Sequence, residues 1–401
     1  MEQTWRWWGP ADSITLAQVR QTGATGLVTA LHEVPYGDVW TRDAIDERLA
    51  FIDAAGLGLR WSVVESLQVH ENIKLGRSDD RGHLPTLFAN YRQSVENLAA
   101  SGVRTICYNF MPVLDWARTD MRHKLPGGGS ALRFNAHEFA AFDVCMLARE
   151  GAERDYPAEV VTRARAWWDA ATQAERQGLL ANIMAGLPGA FDRYDIEGLR
   201  TMLARFRDVT REVLSANLRR FLDEVIPTAE RCGVKLAIHP DDPPRPLLGL
   251  PRIVTNEADI AALLDSHRSA SNGLTLCTGS LGAGEGNDLP AIAARFAPLI
   301  HFAHLRNVAK DPDGSFMEAD HLGGDTDMVA VVEVLLREQE RRRAAHQPDW
   351  RIPFRPDHGH ELLDDVGKPT HPGYPMIGRL RGLAEIRGVM TAVAGLRGWM
   401  L

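Results

Sequence analysis

Four side chains of metal-binding type stand at the ends of four short apolar runs: His239, Cys277, His304 and Asp357. The runs read VKLAIHP (234–240), GLTLCTGS (273–280), LIHFAHLRN (299–307) and IPFRPDHGH (352–360), and successive candidates are 38, 27 and 53 residues apart. Each run opens with residues suited to a buried parallel strand and turns polar at its last positions. In a barrel of alternating strands and helices, those last positions converge on one mouth, where the chemistry is done. Two imidazoles, a thiolate and a carboxylate meeting there make a divalent-metal site of mixed softness. Taken singly, each has a plainer explanation: a strand-end histidine is commonly a hydrogen-bonder, and a free cysteine behaves as a small buried hydrophobe. Their recurrence at corresponding ends of four consecutive strands favours the metal, and with it a metal-dependent enzyme.

Other residues near those ends could act on a bound molecule. In PDHGH (356–360) one carboxylate can ligate an ion while the neighbouring imidazole of His358 carries protons, since histidine titrates near neutral pH. In HPGYP (371–375) three turn-forming residues rigidify Tyr374, whose phenol could serve as acid or base over the metal. Both segments also read as ordinary polar turns. Arg6, Arg306 and Lys310 fall near the mouth and could hold a carboxylate. Asn109, Glu65 and His32 are strand-end residues, with Asn109 a candidate substrate contact. Trp5, Trp7 and Trp8 are expected to be barrel packing. The glycines of TGSLGAGEGND (278–288) match neither GxGxxG nor GxxxxGK[ST], so a bend that lets backbone approach behind Cys277 is favoured over phosphate binding.

The elements that must position these groups alternate from the start. TWRWWG (4–9), GLVTALH (26–32), LRWSVVES (59–66) and RTICYNF (104–110) are strand-like, and the four later runs bring the count to eight. Helices are expected after an Asp12 or Ser13 cap, from Thr41 to about Gly56, around Leu87–Leu98, over Ser215–Arg231, Thr255–Ser266, Leu289–Phe296 and Asp327–Arg343, and finally over Ile377–Ala394. Eight such units are the count of a closed parallel α/β barrel. The rhythm breaks between Phe110 and Val234. About residues 112–210 therefore form an insertion after strand four, expected to be helical (136–149 and 157–187) with a flexible PGGG loop at 126–129. Such insertions act as lids, oligomer contacts or both, and a homo-oligomer is expected. The whole span 1–401 reads as one catalytic domain.

Bulk composition narrows the function classes. A net charge of −8 argues against a nucleic-acid surface. Four cysteines without regular spacing argue against a disulfide framework and for a reducing compartment. MEQTWRWWGP lacks the features of a signal peptide, and no apolar stretch approaches a membrane span. A soluble cytoplasmic protein is expected.

The strand ends LAIHPDDPP, LCTGSLG, HLRN and RPDHGH, followed by HPGYPMIGRLRGLAEIRG, resemble the UxuA-type mannonate dehydratases, as do the N-terminal RWWGP and the PVLDWARTD segment (112–120). The likeness spans nearly the full length. It implies a TIM barrel that uses one Mn2+ or Fe2+ ion to convert D-mannonate to 2-keto-3-deoxy-D-gluconate in hexuronate catabolism. It also implies ligation by His239, Cys277, His304 and Asp357, and proton transfer by His358 and Tyr374. The carboxylate of such a substrate would fall to Arg306, with Asn109 and Arg6 as further contacts. The nearest alternative is a sugar isomerase of the xylose-isomerase type, but those sites are mostly carboxylate-rich and often hold two metals. A DNA-repair endonuclease on the same barrel would need basic grooves. A non-enzymatic barrel whose histidines and cysteine merely pack would bind no stoichiometric ion.

Overall fold

In a computed structural model that describes residues 1–185 and 195–401, the apolar runs form strands and the periodic stretches between them form helices. The strands are β1 (Glu2–Arg6), β2 (Gly26–Thr29), β3 (Arg60–Glu65), β4 (Thr105–Tyr108), β5 (Asp120–Lys124), β6 (Ser130–Phe134), β7 (Lys235–Ile238), β8 (Asn272–Cys277), β9 (Ile300–His304), β10 (Val308–Lys310), β11 (Phe316–Glu318) and β12 (Pro353–Arg355). Among the described residues, eight of them close a parallel barrel in the order β1-β12-β9-β8-β7-β4-β3-β2. The expected eight-stranded α/β barrel is therefore the fold.

Strand periodicity explains how the barrel both fills itself and presents chemistry. Val28, Val63, Cys107, Ala237 and Phe302 form a buried cluster contributed by five different strands. Successive inward positions are two residues apart. One step further toward the strands' C-terminal ends lie Glu65, Asn109, His239 and His304. Thr275, which hydrogen-bonds Cys107 Sγ at 3.3 Å, likewise precedes Cys277 by two.

The outer helices follow local rules. Thr41 caps Arg42–Ala54, and Thr210 caps Arg211–Cys232, which Gly233 closes in the left-handed conformation. Leu214, Leu218, Phe221, Leu222 and Val225 of that crossover helix are buried, with Phe221 edge-on to Tyr91 of the Leu84–Ala100 helix at 4.9 Å. The first helix begins later than expected. Thr15, in a capping box with Gln18, opens Leu16–Gln21, while Asp12 instead accepts the backbone N–H groups of Trp8 and Ile14.

The insertion lies between β4 and β7 but is not purely helical. Its PGGG loop is the turn of a β5–β6 hairpin, with Leu125 N–H donating to the Gly129 carbonyl at 2.9 Å. That hairpin joins β10 and β11 from the segment after β9 in an antiparallel sheet ordered β10-β11-β6-β5. The helix expected over 136–149 is a short α-helix, Ala136–Ala141, running into a π-turn at Phe142–Met146. The 157–187 stretch divides into Ala158–Ala170 and Gln173–Met184, and positions 186 and 187 lie outside the described residues. Among the described residues, no helix is long and apolar enough to cross a membrane.

Candidate metal centre and active site

Cys277 closes β8 and caps the short Thr278–Gly282 helix, so its Sγ accepts the Ser280 backbone N–H at 3.4 Å and the Ser280 hydroxyl at 3.1 Å. Burial opposes ionisation, yet the Arg306 guanidinium and hydrogen bonds from His239 and His304 hold the thiol well below its usual range. Cys107, one layer down in the barrel, is the contrast: burial pushes its thiol up and leaves it a packing residue. Gly279 is required by Arg306, because a Cβ there would stand 2.2 Å from the guanidinium Nε. The glycine-rich segment thus opens as a short helix that makes room for the Arg306 side chain, rather than as the bend expected there.

His239, Cys277 and His304 bring one ligand atom each to within 4.8 Å of one another. Their contacts orient the rings. His239 Nδ1 donates to the Pro240 carbonyl at 2.7 Å, which turns Nε2 toward His304 Nδ1 at 3.2 Å. His304 Nε2 lies 3.3 Å from Glu65 Oε1. Two ring nitrogens so close need a proton or a cation between them. Burial works to discharge His239, but the adjacent Cys277 thiolate prevails and lifts the imidazole to about 9. The donor set thus fits a divalent ion, which would take the place of that proton.

Asp357 lies two residues beyond β12 with φ 67°, a left-handed conformation that Asp tolerates better than most residues. Its Oδ2 is 3.8 Å from Cys277 Sγ and 4.0 Å from His304 Nδ1, so the carboxylate stands at the edge of the three-residue group. Burial disfavours its charge, but Arg355 beside it, together with His358, His304 and Arg306, holds it well below the usual carboxylate range.

Around this centre runs a buried ion-pair network that the sequence did not reveal. Arg306 pairs with Asp242 at 2.7 Å, with Asp357 at 2.9 Å and with Glu318. Arg118, from the insertion, joins Asp242 at 2.9 Å and Glu318 at 3.0 Å. Arg355 forks onto Glu65 at 2.8 and 3.0 Å and pairs with Asp357. Arg306 therefore lines the site with its charge shared among three carboxylates and its donors turned to two of them, Asp242 and Glu318. Its replacement by Met should strand those charges, at a cost of about 3–5 kcal/mol. Urea melts of Arg306→Met should show that loss; a melt matching wild type would mean the carboxylates are satisfied without it.

The cleft over the centre is lined by residues that include Glu65, Asn109, Trp116, His239, Arg355 and Tyr374. His358 also lines it, with its ring edge-on to Tyr374 at 4.9 Å. Burial pushes the Tyr374 phenol up to about 12. Trp8 packs edge-on against Tyr374 at 5.1 Å, and Trp5 and Trp7 are buried packing. Arg6 stands behind the cleft wall: it donates to the Glu65 carbonyl and to His32 Nε2 at 3.2 Å, with its guanidinium over Trp8. Lys310 donates to the Gly282 carbonyl at 3.0 Å on the second sheet. Of the cations read from sequence, only Arg306 lines the cleft.

A closed parallel barrel with a thiolate, two oriented imidazoles and a flanking carboxylate at its C-terminal mouth defines a metal-binding TIM-barrel protein. The family model for D-mannonate dehydratase (UxuA) matches residues 1–397, and the chain belongs to that family. It is 54% identical over 397 residues to a mannonate dehydratase of Chromohalobacter salexigens, covering 99% of this chain and all of the relative. A Rhizobium meliloti mannonate dehydratase is 49% identical over 397 residues, covering 98% of this chain and 97% of the relative. The crystal structure of mannonate dehydratase from Streptococcus suis superposes with a TM-score of 0.75 at 32% identity, covering 100% of this chain and 95% of that one.

Proposed function

We propose that this protein is a hydro-lyase that dehydrates D-mannonate to 2-keto-3-deoxy-D-gluconate, with one divalent ion, Mn2+ or Fe2+, held by His239, Cys277, His304 and Asp357. The observation that carries the reading is the pair of imidazole nitrogens turned on each other beside a thiolate, at the floor of a cleft lined by His358 and Tyr374. It stands in a chain whose relatives bear that name over their whole length.

The reaction removes the proton at C2, beside the carboxylate, and the hydroxyl at C3. The resulting enol rearranges to the 2-ketone, and one water leaves. When bound, the divalent ion supplies Lewis-acid stabilisation of the charge that develops on the carboxylate side of C2. This chain's own groups move the protons. A phenol near 12 is protonated at neutral pH, which suits Tyr374 to protonating the departing hydroxyl. His358 is then the acceptor of the C2 proton. Asn109 and Trp116 line the same cleft and are placed to meet the substrate's hydroxyls and carbon chain. A free, ionised thiol suits a reducing cytoplasm, and the net charge of −8 agrees with a small-molecule substrate rather than nucleic acid. The insertion, its sheet and its helices belong to one catalytic domain with the barrel, in a homo-oligomer.

The test is a paired assay. D-mannonate should yield the 2-keto-3-deoxy product, while D-mannose, lacking the carboxylate through which the ion and the cleft would hold the substrate, should remain unchanged. Isomerisation of mannose without dehydration of mannonate would replace this reading with that of a sugar isomerase.

A further inference from the structure

His358 has two ring nitrogens, and the acid–base chemistry proposed above does not say what decides which of them faces the substrate. Nδ1 lies 3.0 Å from Glu318 Oε1. An ionised carboxylate only accepts, so that contact requires the hydrogen to sit on Nδ1. Nε2, the other ring nitrogen, lies 3.8 Å from Asp357 Oδ1 on the cleft side of the ring. We propose that Glu318 is a positioning residue: by holding Nδ1 it fixes the ring of His358 so that Nε2 is the nitrogen presented for proton transfer.

Glu318 is built for this role by elements outside the barrel. It ends β11, where Val308 of β10 is its register partner and Phe316 pairs with Phe134 of the insertion hairpin. The Phe134 and Phe316 rings stack at 5.4 Å, which joins the two excursions on which the carboxylate depends. The side chain is buried, and its charge is held by Arg118 at 3.0 Å and by Arg306. Both arginines also grip Asp242, so the carboxylate cannot swing away without breaking a shared network. The same sheet holds the far end of the histidine's loop. The Ser130 and Glu361 backbones exchange hydrogen bonds at 3.1 and 2.8 Å, and the Ser130 hydroxyl donates to the Glu361 carboxylate. His360 meets the Glu318 carbonyl at 3.0 Å. The second sheet thus fixes His358 by its backbone and by its ring.

The inference rests on His358 acting in the proposed dehydration, and the experiment separates the two. Glu318→Gln is nearly isosteric, but its amide can turn NH2 toward Nδ1 and favour the opposite tautomer. In the wild-type background it should lower kcat on D-mannonate about 10–100-fold, as loss of an orienting partner does, with KM within about twofold and metal content unchanged. In a His358→Asn background the same change should cost less than about twofold, because effects passing through one group do not add. Equal losses in both backgrounds, or no loss in either, would overturn the inference. A wild-type protein that fails to dehydrate mannonate would instead overturn the functional reading. Nitrogen-15 NMR of histidine-labelled, zinc-loaded protein, with His358 assigned by its absence in His358→Asn, needs no Glu318 variant and no turnover. Hydrogen on Nδ1 and a free Nε2 are expected; hydrogen on Nε2 would refute the role.

Discussion

Cys277→Ser should leave the barrel folded and strip it of its ion. Serine has nearly the shape of cysteine, and the Ser280 backbone N–H and hydroxyl that meet Sγ can meet a serine oxygen instead. The difference is charge. Arg306 and the two histidines hold the Cys277 thiol ionised, whereas a serine hydroxyl stays protonated at neutral pH and is a much poorer ligand. Losing the ion removes several kcal/mol of charge stabilisation, so turnover should fall by about 10³-fold or more. Metal analysis alongside circular dichroism checks both halves. Cys107→Ser, in the barrel core, is the control and should keep its metal. Normal metal content and full activity in Cys277→Ser would remove the thiolate from the site.

The proton-transfer pair should behave in the opposite way. His358→Asn and Tyr374→Phe leave His239, Cys277, His304 and Asp357 untouched, so both variants should bind metal normally. Each should nonetheless lose about 10²–10⁴-fold in turnover, the usual scale of general acid–base catalysis. The division of roles gives a finer expectation. Tyr374→Phe, still able to remove the C2 proton, should exchange it with solvent deuterium without eliminating; His358→Asn should do neither. Near-wild-type turnover in both would send the search to Glu65 and Asn109, which line the same cleft.

What was legible in the sequence was local. A strand's inward positions repeat every two residues, so a polar group just past an apolar run announces itself, as His239, Cys277, His304 and Asp357 do. The crossover helix Arg211–Cys232 could be read from its apolar stripe in the same way. The second sheet could not be assembled like this, although its parts left traces. PGGG between DMRHK and SALRF has the form of a hairpin turn and could have been taken as one. The partner strand is another matter. Phe316 meets Phe134 from 182 positions away in the chain, and both strands are short. With that pairing hidden, neither Arg118 nor Glu318 could be brought to the site. Arg306 shows the same limit from another side. Its charge and place at the mouth were readable, but its three carboxylate partners come from Asp242, Glu318 and Asp357, on separate segments. A charge that looks available in sequence is committed in the fold.

The central claim is that one ion on these four side chains makes the protein a dehydratase of mannonate, and metal stripping with reconstitution tests it most directly. Chelator-treated protein should be folded and should form no 2-keto-3-deoxy-D-gluconate from D-mannonate. Mn2+ or Fe2+ should restore the product in step with binding, to saturation at about one ion per chain, as a single four-ligand site requires. Dehydration that survives complete removal of metal, or a reloaded protein that leaves mannonate untouched, would contradict the account.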